Sequence, residues 1–431
     1  MKLLVVVPDY ASHALPMIEI AKSWANGHGD VVFATGPAVR PLVRGAGLDW
    51  IDLRLGKGNN GGVIETNQQP RGEDDHLQAF FDATRAGPVA TLRYQADARR
   101  HDLLHEPDRV FDRLRNIVAE CQPNRVLVDH VAFGARLGLY ALGIEPATIV
   151  LGHPSALSAP GEVYGLPPIW PIAVRPTHDE LADLAARCQA SVDELSSVAN
   201  EMLARRAPSH RHVGDLTSRP GRPTIYAYPE ALHDPVRPLP PDNVFIGSLA
   251  RSESLGETPL PTGQGPRVTV ALGSFLGARD DVLATAVRAS FRGGWRLALA
   301  HGSSALERLG PLPEGALVRR HLPQVALLAH TDVVIHHGGN GSVTESAAAG
   351  VPMIVLPFST DQFAGAASIE QARVGTALAP NDLTVEALVT AVEDLRRPEY
   401  RLRAKALAES VNAAGGATRA AAAISAAGQQ H

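Results

Sequence analysis

Histidines, a run of glycines and a glutamate come together in one stretch of this chain: His336-His337-Gly338-Gly339-Asn340-Gly341-Ser342, with Glu345 shortly after. Asp332 to Ile335 reads as a short buried strand that runs into the glycine turn. Val343 to Ala349 reads as a helix stopped by Gly350 and Pro352. A glycine turn feeding a helix start presents unpaired backbone N–H groups and the positive end of the helix dipole, which together suit a phosphate. A histidine at the strand end and a glutamate one turn into the helix add directional polar contacts. The common phosphate loops are absent, since neither G-x-x-x-x-G-K-[ST] nor a G-x-G-x-x-G after the first strand occurs.

A second histidine stands where proton transfer is feasible. His13, in Ala11-Ser12-His13-Ala14-Leu15-Pro16, follows the apolar run Leu3 to Val7. If that run is a parallel strand, His13 lies at its carboxyl end, where active-site groups collect. Histidine titrates near neutral pH and can take a proton from a hydroxyl without a metal. A loop histidine capping the next helix would fit the same residues. A histidine base works better with a carboxylate on its other ring nitrogen. Asp129 ends the apolar run Arg125 to Asp129 and would face the same cleft, although a strand-end turn aspartate is also common. Asp97, Asp102 and Asp108 are poorer partners, and His28, before the second strand, looks structural.

The block Leu322 to Gln362 as a whole, in the order L-P-Q, H-H-G-G-x-G, E, G-V-P, D-Q, resembles the donor-binding signature of the UDP-glycosyltransferases, glycosyltransferase family 1. The resemblance is tight over about a tenth of the chain and loose over nearly all the rest. It implies the GT-B fold and an inverting, metal-independent transfer of a sugar, glucose first, from a UDP-sugar to a hydroxyl of a small lipophilic natural product, as in antibiotic biosynthesis. The His13 segment resembles the family's G-H-x-x-P loop, with Ser12 in place of glycine, which implies that His13 is the catalytic base and Asp129 its partner.

Within the donor block the resemblance implies the following contacts. His337, which stands at the family's spacing from Glu345, contacts phosphate, and His336 is a buried strand residue. Gly339, Asn340, Gly341 and Ser342 cradle phosphate through backbone N–H groups, and Glu345 accepts from the ribose hydroxyls. Leu322 and Gln324 meet the base, Ser274 reaches phosphate or sugar, and Asp361 with Gln362 holds the sugar. Phe80, Phe133 and His153 are candidates to line the acceptor pocket. The expected partners are a nucleotide-sugar and a small acceptor, with no cofactor and no metal. The alternatives are a TDP-deoxysugar donor, a sugar-nucleotide epimerase on the same fold, and a non-catalytic nucleotide-binding auxiliary partner.

Positioning these groups takes two α/β units. Leu3 to Val7, Asp30 to Thr35, Arg125 to Asp129 and Ala147 to Leu151 are strands of one doubly wound parallel sheet, with a helix near Pro16 to Ala25 and irregular helices over 76–120. Residues 56–75 read as an exposed loop. A second βαβ series starts at Arg267 and continues at Trp295. The expected layout is an acceptor domain over 1–235, a linker over 236–265 that contains a short strand at Asn243 to Gly247, a donor domain over 266–398, and a helical tail over 399–431. Two facing Rossmann-like domains place the site in the cleft between them.

Composition agrees with this layout. A chain of 431 residues with 45% hydrophobic and 20% charged residues is ordinary for a soluble protein of two domains. A net charge of −5 gives no footprint for nucleic acid or an anionic membrane. Cys121 and Cys188 form no C-x-x-C pair, so neither zinc nor a disulfide framework is expected. No segment approaches a membrane span, and a cytoplasmic location is the expectation. Oligomeric state is left open.

Overall fold

The structure, a computed structural model, describes residues 1–427 except 59–72, 219, 250–252, 274, 275, 277 and 278. The loop expected over 56–75 thus lies mostly outside the described residues. Two parallel sheets organise the chain. The first contains β1 (Leu3–Val6), β2 (Val31–Thr35), β3 (Asp49–Asp52), β4 (Arg125–Asp129), β5 (Ala147–Val150), β6 (Thr224–Tyr226) and β7 (Asn243–Phe245). Their spatial order is β3-β2-β1-β4-β5-β6-β7, every pair parallel. The helices between them are α1 (Ala11–Gly27), α2 (Arg40–Gly45), α3 (Glu73–Ala86), α4 (Pro88–Asp102), α5 (Pro107–Cys121), α6 (Phe133–Ala141) and α7 (His178–Arg206).

The second sheet has the order β10-β9-β8-β11-β12-β13. Its strands are β8 (Arg267–Ala271), β9 (Arg296–Ala300), β10 (Leu317–Arg319), β11 (Val333–His336), β12 (Met353–Val355) and β13 (Gly375–Ala377). Its helices are α8 (Asp280–Gly293), α9 (Gln324–Leu328), α10 (Asn340–Ala349), α11 (Gln362–Gln371) and α12 (Val385–Leu395), followed by α13 (Pro398–Ala413) and α14 (Gly416–Ala426). The fold is therefore GT-B in kind, two parallel-sheet α/β units as expected.

The central strands are largely apolar because helices cover both faces of each sheet. All of β1 and all of β12 are buried. Fully burying one such Val or Leu side chain contributes about 1.5–3 kcal/mol, so the central strands are fixed more firmly than the loops at their ends. The topology then decides where a ligand can sit. In each sheet the winding reverses between two central neighbours, β1 and β4 in the first and β8 and β11 in the second. A crevice opens beyond the carboxyl ends of the strands at such a reversal. His13 follows β1 and Asp129 ends β4; Gly273 follows β8 and His337 follows β11. The groups singled out in the sequence thus fall at the two reversal points.

Three boundaries differ from expectation. The first helix begins at Ala11 rather than near Pro16, because the Tyr10 carbonyl accepts from the N–H groups of both His13 and Ala14, at 3.0 and 2.9 Å. His13 is therefore in the first helical turn, and Pro16 lies inside the helix. Helix α10 begins at Asn340, ahead of Val343, so the glycine turn is itself the helix start. Strand β7 pairs with β6 and completes the first sheet, so the stretch read as linker contributes a strand to it. The C-terminal helices tie the two units together. Helix α13 packs on α10, while α14 returns to pack on α1 and buries Ala420, Ala421 and Ile424 in the first core.

Candidate active site

His13 and Asp129 are brought together from residues far apart in sequence. The imidazole Nδ1 lies 2.7 Å from Asp129 Oδ2. The other oxygen, Oδ1, accepts the backbone N–H of Val131 at 3.0 Å. Asp129 is fully buried, and the His13 side chain is 22% exposed. A carboxylate on Nδ1 holds the proton there and leaves Nε2 as the basic nitrogen facing the opening. Burial works against a charge on His13, but the Asp129 charge and hydrogen bond outweigh it and raise the imidazole pKa above its ordinary value. Burial would likewise raise Asp129, yet His13 and His130 hold its carboxyl well below the usual range. His130, also buried, places Nδ1 3.2 Å from Oδ1 without the alignment of a hydrogen bond, and its ring stacks towards His13 with centroids 6.3 Å apart.

On the facing unit, α10 starts without a side-chain cap: Gly339 takes the N-cap position in an extended conformation. The N–H of Val343 is the first to close a helical bond, to Gly339 O at 3.1 Å. The N–H groups of Asn340, Gly341 and Ser342 precede it and have no partner within the helix. His337 lies across this start. A Cβ on Gly273 would come within 2.9 Å of His337 Nε2, and one on Gly339 would also collide with the ring. Both positions must therefore stay glycine for the imidazole to lie flat against the turn. His337 Nδ1 is buried and unpartnered, as is Asn340 Oδ1.

Burial lowers the His337 pKa to about 4, so His337 is neutral at pH 7. In that form it can offer a ring N–H to a phosphate but no positive charge. His336 is fully buried, accepts the Gly338 N–H at 3.0 Å through Nδ1 and is pushed down to about 3 by burial, as suits a strand residue.

The remaining donor candidates fall around the same helix start. Gln324, at the start of α9, donates to Glu345 Oε2 at 2.7 Å and reaches Ser342 Oγ at 3.4 Å. The carboxylate expected to bind ribose is thus held by the glutamine expected near the base. Leu322 packs beside the cluster of Ala298, Leu317 and Leu327. Ser274 lies outside the described residues. Gln362 turns its amide oxygen inward and caps the N–H groups of Phe358 and Ser359 at 3.0 and 3.2 Å. Asp361 does not cap α11; it reaches across to the first unit, where Oδ2 accepts the His153 N–H at 2.7 Å. Its charge also acts on His13, so this end of the block lies near the dyad.

The acceptor candidates are placed differently from the sequence reading. Phe133 is 1% exposed and belongs to the core behind β4, edge-on to Tyr164. Phe80 packs against the second unit's core and against Phe81. His153 is buried with both ring nitrogens bonded, Nδ1 to Ser155 and Nε2 to Ser368, and burial lowers its pKa to about 3. Phe133 and His153 are thus already used in packing and in joining the two units, while Phe80 is half-buried.

Sequence reading missed Arg279. It is 1% exposed and forks onto Asp281 at 2.8 and 2.7 Å. It also donates to the Thr84 carbonyl at the end of α3, while Asn381 donates to the Arg85 carbonyl beside it. These bonds clasp the first unit's α3 to the second, and partners so distant in sequence leave no local signal. Among the described residues no group of three His, Cys, Asp or Glu could hold a metal ion, and no helix is long and apolar enough to cross a membrane.

Comparison with known proteins agrees with this geometry. Residues 297–425 match the erythromycin biosynthesis protein CIII-like C-terminal domain. The chain is similar along its length to the solved glycosyltransferase VinC in complex with DTDP, with a TM-score of 0.67, 19% identity and 100% of each chain covered. The chain has the GT-B fold. It is 26% identical to 4'-demethylrebeccamycin synthase of Lentzea aerocolonigenes over 94% of both chains. It is 26% identical to demethyllactenocin mycarosyltransferase of Streptomyces fradiae over 277 residues, 64% of this chain and 57% of that one. The chain spans about half the length of the first curated relatives it matches.

Proposed function

We propose that this GT-B protein is an inverting, metal-independent glycosyltransferase acting on a small natural product. The observation that supports the reading is the His13–Asp129 dyad at one reversal point, within reach of the charge of Asp361, together with an uncapped glycine helix start at the other. An acceptor hydroxyl hydrogen-bonds to His13 Nε2. As its oxygen forms a bond to the anomeric carbon, the proton passes to Nε2, and the bond from that carbon to the diphosphate oxygen breaks. Asp129 stabilises the imidazolium so formed. The diphosphate leaves carrying the negative charge, which the N–H groups of Asn340, Gly341 and Ser342, the α10 dipole and the neutral ring of His337 stabilise. In-line attack inverts the anomeric configuration. The charge on the leaving group is met by these donors, so the reaction calls for no divalent ion.

The donor expected from the sequence is a UDP-sugar, glucose first, held by Asp361 and Gln362. A TDP-sugar is the second reading. It is favoured by the relative named as a mycarosyltransferase and by the similar structure that holds DTDP, and Glu345, which already bonds Gln324, would then meet one ribose hydroxyl fewer. The test is release of nucleoside diphosphate from UDP-glucose and from TDP-deoxysugars, with and without a panel of polyketide and macrolide aglycones. Acceptor-dependent release in the wild type that is lost in His13→Ala supports the reading. Release independent of acceptor and of His13, or no release with any donor, rejects it.

A further inference from the structure

The buried arginines of the first unit and of the clasp each have an oxygen acceptor. Arg136 donates to the carbonyls of His130 and Leu216, Arg237 forks onto Glu162, and Arg279 forks onto Asp281. Arg99, near the end of α4, is different. Its guanidinium lies over the Tyr164 ring, 5.0 Å from the centroid, and no hydrogen bond or ion pair joins it to any described residue. One of its terminal nitrogens, Nη1, is buried without a partner against Gly165 and Cys188, while the residue as a whole is half-buried. One turn earlier on the same face of α4, the amide oxygen of Gln95 is also buried and unpartnered. Among the described residues the Tyr164 hydroxyl has no hydrogen-bond partner either. A partly desolvated guanidinium held by a ring face alone is a costly arrangement, and it gains most from an anion that arrives with a ligand.

The position is suited to an acceptor. Tyr164 stands edge-on to Phe133 at 5.6 Å, and Phe133 opens the helix that follows Asp129. The charges of both Asp129 and Asp361 act on the Tyr164 phenol, so Arg99 and Tyr164 extend from the catalytic dyad along the first unit. We propose that Arg99, with Tyr164 and Gln95, is the acceptor's anion seat, and that the acceptor is an aromatic natural product carrying a carboxylate or an acidic enol. This rests on the glycosyltransferase reading above. The guanidinium pairs with the anionic group, the Tyr164 hydroxyl and the Gln95 amide bond neighbouring oxygens, and the hydroxyl to be glycosylated is left to face His13. Arg99 and Tyr164 then determine which acceptor binds and at which hydroxyl it reacts, while taking no part in the proton transfer.

The test is equilibrium binding of a dihydroxyanthraquinone carboxylic acid and of its methyl ester, followed by ligand fluorescence, to the wild type and to Arg99→Gln, Arg99→Lys and Tyr164→Phe. The expected result is at least about tenfold tighter binding of the acid by the wild type. That preference should be lost in Arg99→Gln, partly kept in Arg99→Lys and reduced in Tyr164→Phe. Binding of UDP and TDP, measured on the same samples, should be unchanged in all three variants and shows that they are folded. Equal binding of acid and ester by the wild type, binding of neither, or a preference that survives in Arg99→Gln overturns the proposal. A wild type that prefers the acid but binds no nucleotide keeps the anion seat and instead rejects the glycosyltransferase reading.

Discussion

Asp129→Asn is the substitution whose consequences follow most fully from the geometry. It keeps the side chain's size and can keep the Val131 N–H bond to Oδ1. What changes is the contact with His13 Nδ1, at 2.7 Å in the wild type. An amide NH2 in that place donates, so Nδ1 must accept, and the proton moves to Nε2, the nitrogen that has to receive the acceptor's proton. Two losses add. The imidazolium formed during reaction loses a counter-charge, and at about 4 Å between charge centres with an effective dielectric near 20 that interaction is worth about 4 kcal/mol, or about a thousandfold. The wrong tautomer must also be corrected before reaction. The expected fall in kcat is about 10³–10⁴-fold, with the KM for donor unchanged.

The pH profile gives an independent reading of the same pair. His13 is raised above its ordinary pKa by Asp129, so the acid limb of kcat/KM in the wild type should inflect above the ordinary histidine value. In the variant burial is opposed only by the charge of Asp361, a lesser influence than Asp129, and the limb should move to lower pH. Stability follows with definite signs. The His13 contribution is present below its unfolded pKa and is lost as pH rises through its raised folded pKa. The Asp129 contribution is present above the ordinary carboxylate range and is lost as pH falls through its depressed folded pKa. The variant should therefore lose stability most between those limits. The assay is acceptor-dependent release of nucleoside diphosphate across pH. A variant with near wild-type turnover, or with its acid limb moved upward, would refute the reasoning.

Other consequences can be checked as directly. Gly339→Ala pushes the His337 ring off the α10 start; calorimetric affinity for UDP or TDP should fall at least about tenfold with little change in melting temperature. Arg279→Ala removes the fork to Asp281 and the bond to Thr84, and should destabilise the folded protein by about 3 kcal/mol in denaturant unfolding. Lys at the same position, unable to fork, should recover only part of that. Removal of divalent ions with EDTA should leave the transferase rate within about twofold of its untreated value, since the diphosphate is met by N–H donors; loss of activity restored by magnesium would show that those donors do not suffice.

The strand cores and the glycine helix start were legible in the sequence for physical reasons. Strands covered on both faces read as unbroken apolar runs, as Arg125 to Asp129 did with correct ends. A phosphate-type helix start needs glycine; Gly350 marked the end of α10, while its start was read at Val343 rather than Asn340. The pairing of His13 with Asp129 was legible because the one follows and the other ends strands that the winding makes neighbours. What escaped depended on tertiary contact. Nothing local tells Phe133 from a pocket aromatic, since the core it enters is completed by α7 and the 163–166 segment. Asp361 was read only for a sugar contact, and its bond to the far unit at His153 has no local signal. The neutrality of His337 depends on burial that the sequence does not encode locally. The start of α1 was missed because Tyr10 supplies only its carbonyl and no capping side chain.

Thermal unfolding of the wild type and His337→Ala in buffer, UDP, TDP, GDP and NAD tests the central claim, a nucleoside diphosphate site at the start of α10, most directly. A pyrimidine nucleoside diphosphate at a hundred times its dissociation constant should add about 2.7 kcal/mol of stability to the wild type. Most of that gain should disappear in His337→Ala, and GDP and NAD should give far less. A wild type unmoved by every nucleotide, or a gain that survives intact in His337→Ala, would contradict the account.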